Sequence, residues 1–239
     1  MELEEFISHG HEQYLPNLSV DLVIIGFQEK ELRCLLLRIG EKWLLPGGYI
    51  GRGESVDHAV QRVMGERTGL KDPHLSFLAV FGDRNRRFGH EWKAFLESSG
   101  LPWRDDSWLN GRFISLAYYA LVNIAHTHPS VRAYDEAFGW FDFDDLPPLW
   151  MDHRSILEKA RNQLKEDIGR ELVSHHLLSE PFTMPELHRL HQTILGEKLD
   201  RSRFQKKMLS TGMFKRLPKK PTGSPGRNPY QYRVKRREA

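Results

Sequence analysis

The stretch from Gly48 to Leu70, GYIGRGESVDHAVQRVMGERTGL, constrains the fold more than any other. Three glycines in its first six residues mark a loop. Beyond it, Val56, Ala59, Val60, Val63 and Met64 recur at the spacing of one helix face. Glu54 or Ser55 can start that helix, and Gly69 supplies a left-handed stop. Upstream, SVDLVIIGFQEKELRCLLLRIG reads as two apolar strands joined by the polar turn Gln28–Lys30. A strand hairpin, a glycine loop and a helix in that order point to an α/β fold.

Three further strands are expected, in LSFLAVFG, FISLAYYALVNIA and AFGWFDFDDLPPL. Between Phe81 and Phe113 the chain carries three tryptophans and a short helical pattern over Glu91–Glu97. That is long for a hairpin loop, so residues from about 83 to 112 read as an insertion. Its aromatics are expected to pack as a mini-core of their own; a lid over a ligand pocket or a subunit contact are the alternatives. Next, MDHRSILEKARNQLKEDIGRELVSHHLL is helical, with Ile156, Leu157, Ala160, Leu164 and Ile168 on one face. Gly169 is expected to interrupt it and to divide a body, 1–168, from a tail, 169–239.

A chain of 239 residues can bury a core in two domains without covalent staples. No apolar run approaches the roughly 18 residues of a membrane span. The acidic start MELEEFISHG lacks an apolar stretch, so no secretory signal is expected. A single cysteine, Cys34 in ELRCLLLRI, excludes an internal disulfide, fits a reducing cytosol and reads as a core residue. The histidine pairs His9/His11, His126/His128 and His175/His176 lack a visible set of further ligands, so no metal site is expected from them. The net charge of +3 hides a division. From Phe182 to the end stand 15 Lys+Arg against 4 Asp+Glu, a balance of +11; the 20 against 28 before it give −8. Such asymmetry implies an anionic partner for the tail.

Gly48, Glu54, Arg62, Met64, Glu66, Gly69 and Leu70 fall at the spacing G-x5-E-x7-R-E-U-x-E-E-x-G-U, with U aliphatic. The segment thus resembles the Nudix box, and WLLPGG resembles the approach to one. The resemblance implies a Nudix-type α/β/α sandwich, in which glutamates of the R-E-U-x-E-E segment hold Mg²⁺ or Mn²⁺ against a pyrophosphate. Positions 63, 66 and 67 share one helix face, spanning about 100°. Three carboxylates there suit a hard cation that activates water. This chain has Val63, Glu66 and Arg67 instead, a change in local charge from −3 to zero. No catalytic residue, metal or cofactor is expected, and Glu66 should pair with Arg62 one turn back.

Such a pocket can still receive an anionic or hydroxyl-rich ligand without cleaving it. Gly47, Gly48, Arg62 and Arg67 are candidate contacts. The stretches FGDRNRR and GRFISLAYYALV resemble strands of Nudix-type regulators that read a pyrophosphate- or sugar-containing effector, which adds Arg84, Arg87 and Arg112.

In the tail, Thr183 and Glu186 form a capping box around Pro185. Leu187, Leu190, His191, Ile194 and Leu195 make the buried face of a helix ending at Gly196. Asp200 caps a second helix, Arg201 to about Ser210, with Phe204, Met208 and Leu209 pointing inward. Arg201, Ser202, Arg203, Gln205, Lys206 and Lys207 face outward. MFKRL and YQYRV then alternate like paired strands around PKKPTGSPGRNP. The order describes a winged helix-turn-helix, with the second helix aimed at base edges and Lys219, Lys220 and Arg227 of the wing at phosphates or the minor groove.

FTMPELHRLHQTILGEKLDRSRFQKKML is similar to the pattern FT-x-x-EL…Y-x-x-I-x-G-x-x-LD-x-x-x-F-x-x-K-x-L of the Nudix-related transcriptional regulators (NrtR type, with their arabinose-responsive relatives). His191 stands where the pattern has an aromatic, and the aromatic insertion exceeds the family's loop. The resemblance implies a cytoplasmic, homodimeric repressor that binds double-stranded operator DNA and a sugar or ADP-ribose-like effector. The alternative is an active Nudix hydrolase of a nucleoside diphosphate derivative carrying an accessory nucleic-acid-binding domain.

Overall fold

The sheet grows from one hairpin. In the computed structural model, which describes residues 3–70, 73–131, 135–170, 173–219 and 228–235, α1 (Leu3–Gln13) leads into β1 (Tyr14–Gln28), which returns as β2 (Glu31–Ile39). Glu29 and Lys30 make the turn, both at left-handed φ (53° and 72°), a geometry that matches the twist of the flanking strands. The body continues through β3 (Lys42–Leu44), β4 (Gly47–Gly51), α2 (Val56–Thr68), β5 (His74–Phe81), α3 (Gly89–Ser98), β6 (Ile114–Leu121), β7 (Ala137–Asp142) and α4 (His153–Arg170). Seven strands form one mixed sheet along β3-β2-β1-β6-β5, with β4 also paired to β1 and β7 to β2. Only the β1–β6 pairing, Leu18↔Ile114 to Ile25↔Leu121, is parallel among these described pairs.

Strand alternation assigns the two faces. Leu22 and Ile24 pack with Ala59, Val60, Val63 and Met64 of α2. Val23 and Ile25 pack with Ile156, Leu157, Ala160 and Leu164 of α4. A helix on each side gives the α/β/α sandwich. Cys34 is fully buried in the α4-side core, and burial pushes its thiol up to about 12.

Three expectations need correction. The apolar run FISLAYYALVNIA does not form one strand throughout: β6 stops at Leu121, because the Asn123 side chain accepts the Ala125 N–H and opens a 3₁₀ turn over Ile124–His126. Gly169 does not end α4, which runs to Arg170, and the described chain resumes in a 3₁₀ turn at Val173–Leu177. A side chain at Gly169 would point into open space, so a solvent-facing glycine costs the helix only propensity, about 1 kcal/mol.

Nor do the insertion's aromatics keep to themselves. Trp92 and Leu109 share a cluster with Phe6 of α1, Ile39 of β2 and Trp150 just before α4. Phe6 meets Trp108 at 5.2 Å between centroids, Trp92 meets Trp150 at 5.0 Å, and Trp108 Nε1 donates to the Ile7 carbonyl at 3.1 Å. Gly10 lies so close that a Cβ would fall 2.4 Å from the Trp108 ring. Leu3, Phe6, Ile7 and Gly10 carry the i, i+3, i+4, i+7 helical spacing, a signal that the acidic composition of the segment masks.

The tail forms β8 (Phe182–Thr183), α5 (Met184–Leu195), α6 (Arg201–Ser210), β9 (Phe214–Lys219) and β10 (Tyr230–Val234). Central β10 pairs antiparallel with both β8 and β9. Its core is continuous with the α4 face of the body: Leu164 and Ile168 join one cluster with Leu177, Phe182, Leu187, Leu190, Ile194, Phe204 and Met208. Thr193 Oγ1 adds a bond to the Lys30 carbonyl in the β1–β2 turn, at 3.0 Å.

Candidate functional site

The loop before α2 is pinned by one ion pair. Ser55 caps α2 by accepting the His58 N–H, and Gly69 closes it at φ 72°. Glu54 accepts from the Gly51 N–H at 2.7 Å and from Arg62 at 2.6 and 3.1 Å. These bonds, that from Arg62 foremost, hold the Glu54 carboxyl down to about 2. Arg62 also donates to the Tyr49 carbonyl at 2.9 Å and to Glu66 at 3.2 Å. Its guanidinium therefore ties β4, loop and helix together. Truncating Glu54→Ala leaves the Gly51 N–H and Arg62 without this acceptor and should cost about 2 kcal/mol in chemical denaturation; no loss of stability would mean that the loop is held by other contacts.

The face that would hold metal is internally committed. Val63 is buried, and a Cβ on Gly48 would lie only 2.7 Å from its Cγ2, so the valine fills the space next to the loop. Glu66 is engaged by Arg62. Arg67 is buried, bonds the Asp135 carboxylate, and sets Nε and Nη2 3.4 Å from the Gly47 carbonyl. A divalent cation needs several oxygens and little positive charge beside them. A valine, a paired glutamate and a buried arginine do not fit Mg²⁺ or Mn²⁺. Among the described residues no three His, Cys, Asp or Glu side chains gather as a metal site.

Beside this face opens a pocket bounded by β1, β4, the end of α2, the insertion and the start of α4. Its polar floor is a network. Arg86 donates to Asp152 at 2.8 and 3.1 Å, to the Phe113 carbonyl at 3.3 Å and to Asp21 at 3.4 Å. Ser115 Oγ donates to the same Asp21 oxygen, Oδ2, at 2.5 Å. His153 Nδ1 accepts the Leu45 N–H at 2.9 Å, which leaves a neutral ring's proton on Nε2. Burial pushes the His153 pKa down, in keeping with that neutral form. Phe88, Trp92, Phe113 and Trp150 supply apolar walls.

Of the candidate effector contacts, Gly47, Gly48 and Arg67 line this pocket. Arg62 instead borders a shallow groove with Gly51, Arg52 and Glu54. Arg84 and Arg87 are exposed, and so is Arg112, which donates to the Gly82 carbonyl at 2.9 Å. The inward-facing member of FGDRNRR is Arg86, which sequence reasoning passed over. Nothing in the spacing of that run distinguishes it from its neighbours. Asp21 and His153 were also missed, since each sits in an apolar or mixed stretch with no motif around it.

The second surface lies on the tail. Thr183 and Glu186 make the capping box, and Asp200 accepts the Arg203 N–H at 2.7 Å to begin α6. Phe204 and Met208 are buried, whereas Arg201, Ser202, Arg203, Gln205, Lys206 and Lys207 are all exposed. Leu209 corrects the expected pattern: it is 42% exposed, because it sits about 100° around the helix from Met208 and away from the Phe204–Met208 stripe. Lys219 is exposed at the end of β9, with Nζ 5.4 Å from the Tyr230 ring centroid. Lys220 and Arg227 lie outside the described residues.

His191, in the aromatic's place, packs edge-on to Phe204 at 4.8 Å and bonds Ser174 Oγ at 2.8 Å. Burial, followed by the nearby Lys207 and His188 charges, pushes its pKa down to about 4 from 6.5. The unfolded chain then binds a proton that the folded one refuses. Stability present above about pH 6.5 should fall as pH drops toward 4. His191→Tyr should flatten that part of a melting-temperature profile, and an unchanged slope would assign the acid sensitivity elsewhere.

A mixed sheet between two helices, with a loop–helix at the box spacing, defines the class. The NUDIX domain family matches residues 15–160, and the chain belongs to the Nudix family. Residues 174–234 match the NrtR DNA-binding winged helix domain, so the fold is a Nudix body followed by a winged helix. The chain is 23% identical over 207 residues to the ADPR responsive transcriptional repressor NtrR of Acinetobacter baylyi, covering 83% of this chain and 74% of that one. It is similar in structure to Shewanella oneidensis NrtR complexed with a 27mer DNA, at TM-score 0.71 and 25% identity over 91% of this chain and 93% of that one. It is also 28% identical over 148 residues to an ADP-ribose pyrophosphatase of Methanocaldococcus jannaschii, covering 60% of this chain and 72% of the enzyme.

Proposed function

We propose that this chain is a transcriptional repressor that binds operator DNA through its winged helix and senses an effector in the Nudix pocket without cleaving it. The observation that carries the reading is the pairing of two features: a box whose metal face is filled by Val63 and the Arg67–Asp135 pair, and an α6 whose basic face is wholly exposed. The DNA complex of the Shewanella relative and the repressor of Acinetobacter, named for its response to ADP-ribose, support it. In this reading residues 1–168 bind effector and 169–239 bind DNA, with the chain acting in the cytoplasm as a homodimer on paired half-sites. Arg201, Ser202, Arg203, Gln205, Lys206, Lys207 and Lys219 are assigned to DNA, together with Lys220 and Arg227. Gly47, Gly48 and Arg67 are assigned to the effector, which is a sugar or ADP-ribose-like molecule, together with Arg62, Arg84, Arg87 and Arg112 outside the pocket's lining.

The test is binding to duplexes from upstream of the chain's own and neighbouring genes, against scrambled duplex, across a salt series. Site-selective, steeply salt-dependent binding is expected. Equal binding to all duplexes would reduce the tail to a generic basic module. The likeness to a pyrophosphatase favours one second reading, an active hydrolase. It predicts Mg²⁺- or Mn²⁺-dependent turnover of ADP-ribose that disappears in Glu66→Gln, whereas the regulator reading expects no turnover in either protein.

A further inference from the structure

The outermost strand of the body leaves apolar surface uncovered. Strand β5 ends the sheet and pairs with β6 alone among the described strands. Natural sheets guard such an edge with lysines, prolines or inward-pointing charges. The β5 sequence HLSFLAVF contains no Lys, Arg, Asp, Glu or Pro, and neither does ISLAYYAL of β6.

A bulge makes that surface continuous. Phe77 lies opposite Tyr118 and Ala79 opposite Ala117, so Leu78 is the extra residue. The one-residue slip returns Val80, opposite Leu116, to the face that carries Phe77. Phe77 and Val80 are 55% and 56% exposed, the highest values among the large apolar side chains described. The Phe77 ring meets Tyr118 at 5.3 Å between centroids. Leu75, Leu116 and Tyr118, all half-buried, border the α2-side core and complete the strip. Helix α2 packs in that core with Leu22, Ile24 and Leu35 of β1 and β2, and leaves Phe77 and Val80 bare.

The chemistry of the strip selects what covers it. DNA, or an acidic or basic protein, is recognised by charge, and neither strand offers any. An apolar strip is its own complement: two copies related by a two-fold axis set like against like and strand no charge. The other face of β5 adds a reason for a second copy. Leu78, Ala79 and Phe81 join the α4-side core that the winged helix shares. The His74 ring stacks on His176, in the turn at Val173–Leu177, at 4.7 Å. The strand thus stands between the strip and the seat of the winged helix. Pairing at the strip brings two winged helices to one side of the assembly, as paired half-sites require.

We infer that the β5–β6 face is the surface through which two copies of this chain pair, with Phe77 and Val80 at its centre. This inference rests on the homodimer of the reading above and names where it forms.

The experiment is sedimentation velocity on the full chain over a concentration series, with DNA binding measured on the same preparations. The wild type should be a dimer in the micromolar range. Phe77→Asp with Val80→Asp should raise its dissociation constant about 100-fold or more, because carboxylates are buried unpaired in the contact. Phe138→Asp, an equally exposed apolar position on β7 across the sheet, should leave the dimer intact. A second measurement introduces no charge. Cys34 is buried, so Val80→Cys adds one reactive thiol, and a short bismaleimide should join two chains through it. A wild type that stays monomeric up to about 100 μM overturns the inference. So does a dimer that survives the double aspartate variant, a dimer split by Phe138→Asp instead, or a Val80→Cys dimer that does not cross-link. DNA binding separates this result from the regulator reading. A dimer that pairs through β5 yet shows no site-selective binding keeps the interface and removes the regulator. Site-selective binding by a monomeric wild type keeps the regulator and removes the interface.

Discussion

Replacing Arg67 by methionine should destabilise the chain by about 3–5 kcal/mol, the cost of leaving one partner of a buried ion pair behind. Asp135 is fully enclosed at its side chain, and the arginine that meets it is only 5% exposed. Methionine matches the stem of arginine and nothing of its head. The carboxylate must then stay charged in an apolar setting or take up a proton. Replacing both, Arg67→Met with Asp135→Leu, removes the stranded charge and should recover most of the loss. Urea denaturation of the two single variants and the double one gives the coupling directly. A single-variant cost below about 1 kcal/mol would mean that water reaches the pair, contrary to its burial. The result also bears on the box: an arginine that the fold cannot lose is a structural replacement for a metal ligand, and restoring glutamate there would set two carboxylates against each other.

The second large effect is on DNA. The triple substitution Arg203→Ala, Lys206→Ala and Lys207→Ala should lower affinity roughly 100-fold or more near 0.1 M salt. It should also make the log K against log salt slope shallower by about 2 to 3, if each side chain neutralises one phosphate. Folding should be unaffected. All three side chains are exposed, the stripe of Phe204 and Met208 remains, and the Asp200 cap uses the Arg203 backbone N–H and not its side chain. An unchanged slope with a changed site preference would move these residues from phosphates to base edges. An unchanged slope and preference would take α6 out of the interface.

What the chain announces in advance is what repeats along it. The α2 helix, both caps and the winged helix were legible because periodicity, capping residues and the glycine stop agree locally, as at Ser55, Gly69, Thr183 and Asp200. The filled metal face was legible too, since box spacing fixes which three side chains share it. The pocket was not. Asp21 comes from β1, Arg86 from the insertion and His153 from the start of α4, and only tertiary folding brings them together. Arg86 is distinguished from Arg84 and Arg87 by partners distant in sequence, two aspartates and the Phe113 carbonyl. The sharing of insertion aromatics with α1 is a long-range fact of the same kind: the spacing of Leu3, Phe6, Ile7 and Gly10 announces an apolar helix face but not what covers it.

Helix α4 has a mechanical consequence. Its first residue, His153, sits in the pocket floor, and its other end leads into the turn at Val173–Leu177 that seats the winged helix. At 18 residues it is a rod of about 27 Å, gripped along its length by the sheet. A rod so held cannot bend to absorb a push at one tip. Over that length a tilt of a few degrees at the His153 end would be a displacement of an ångström or two at the far end, where the winged helix packs. The fold thus joins the pocket floor to the winged-helix core through one stiff element, as a tang joins a blade to its handle.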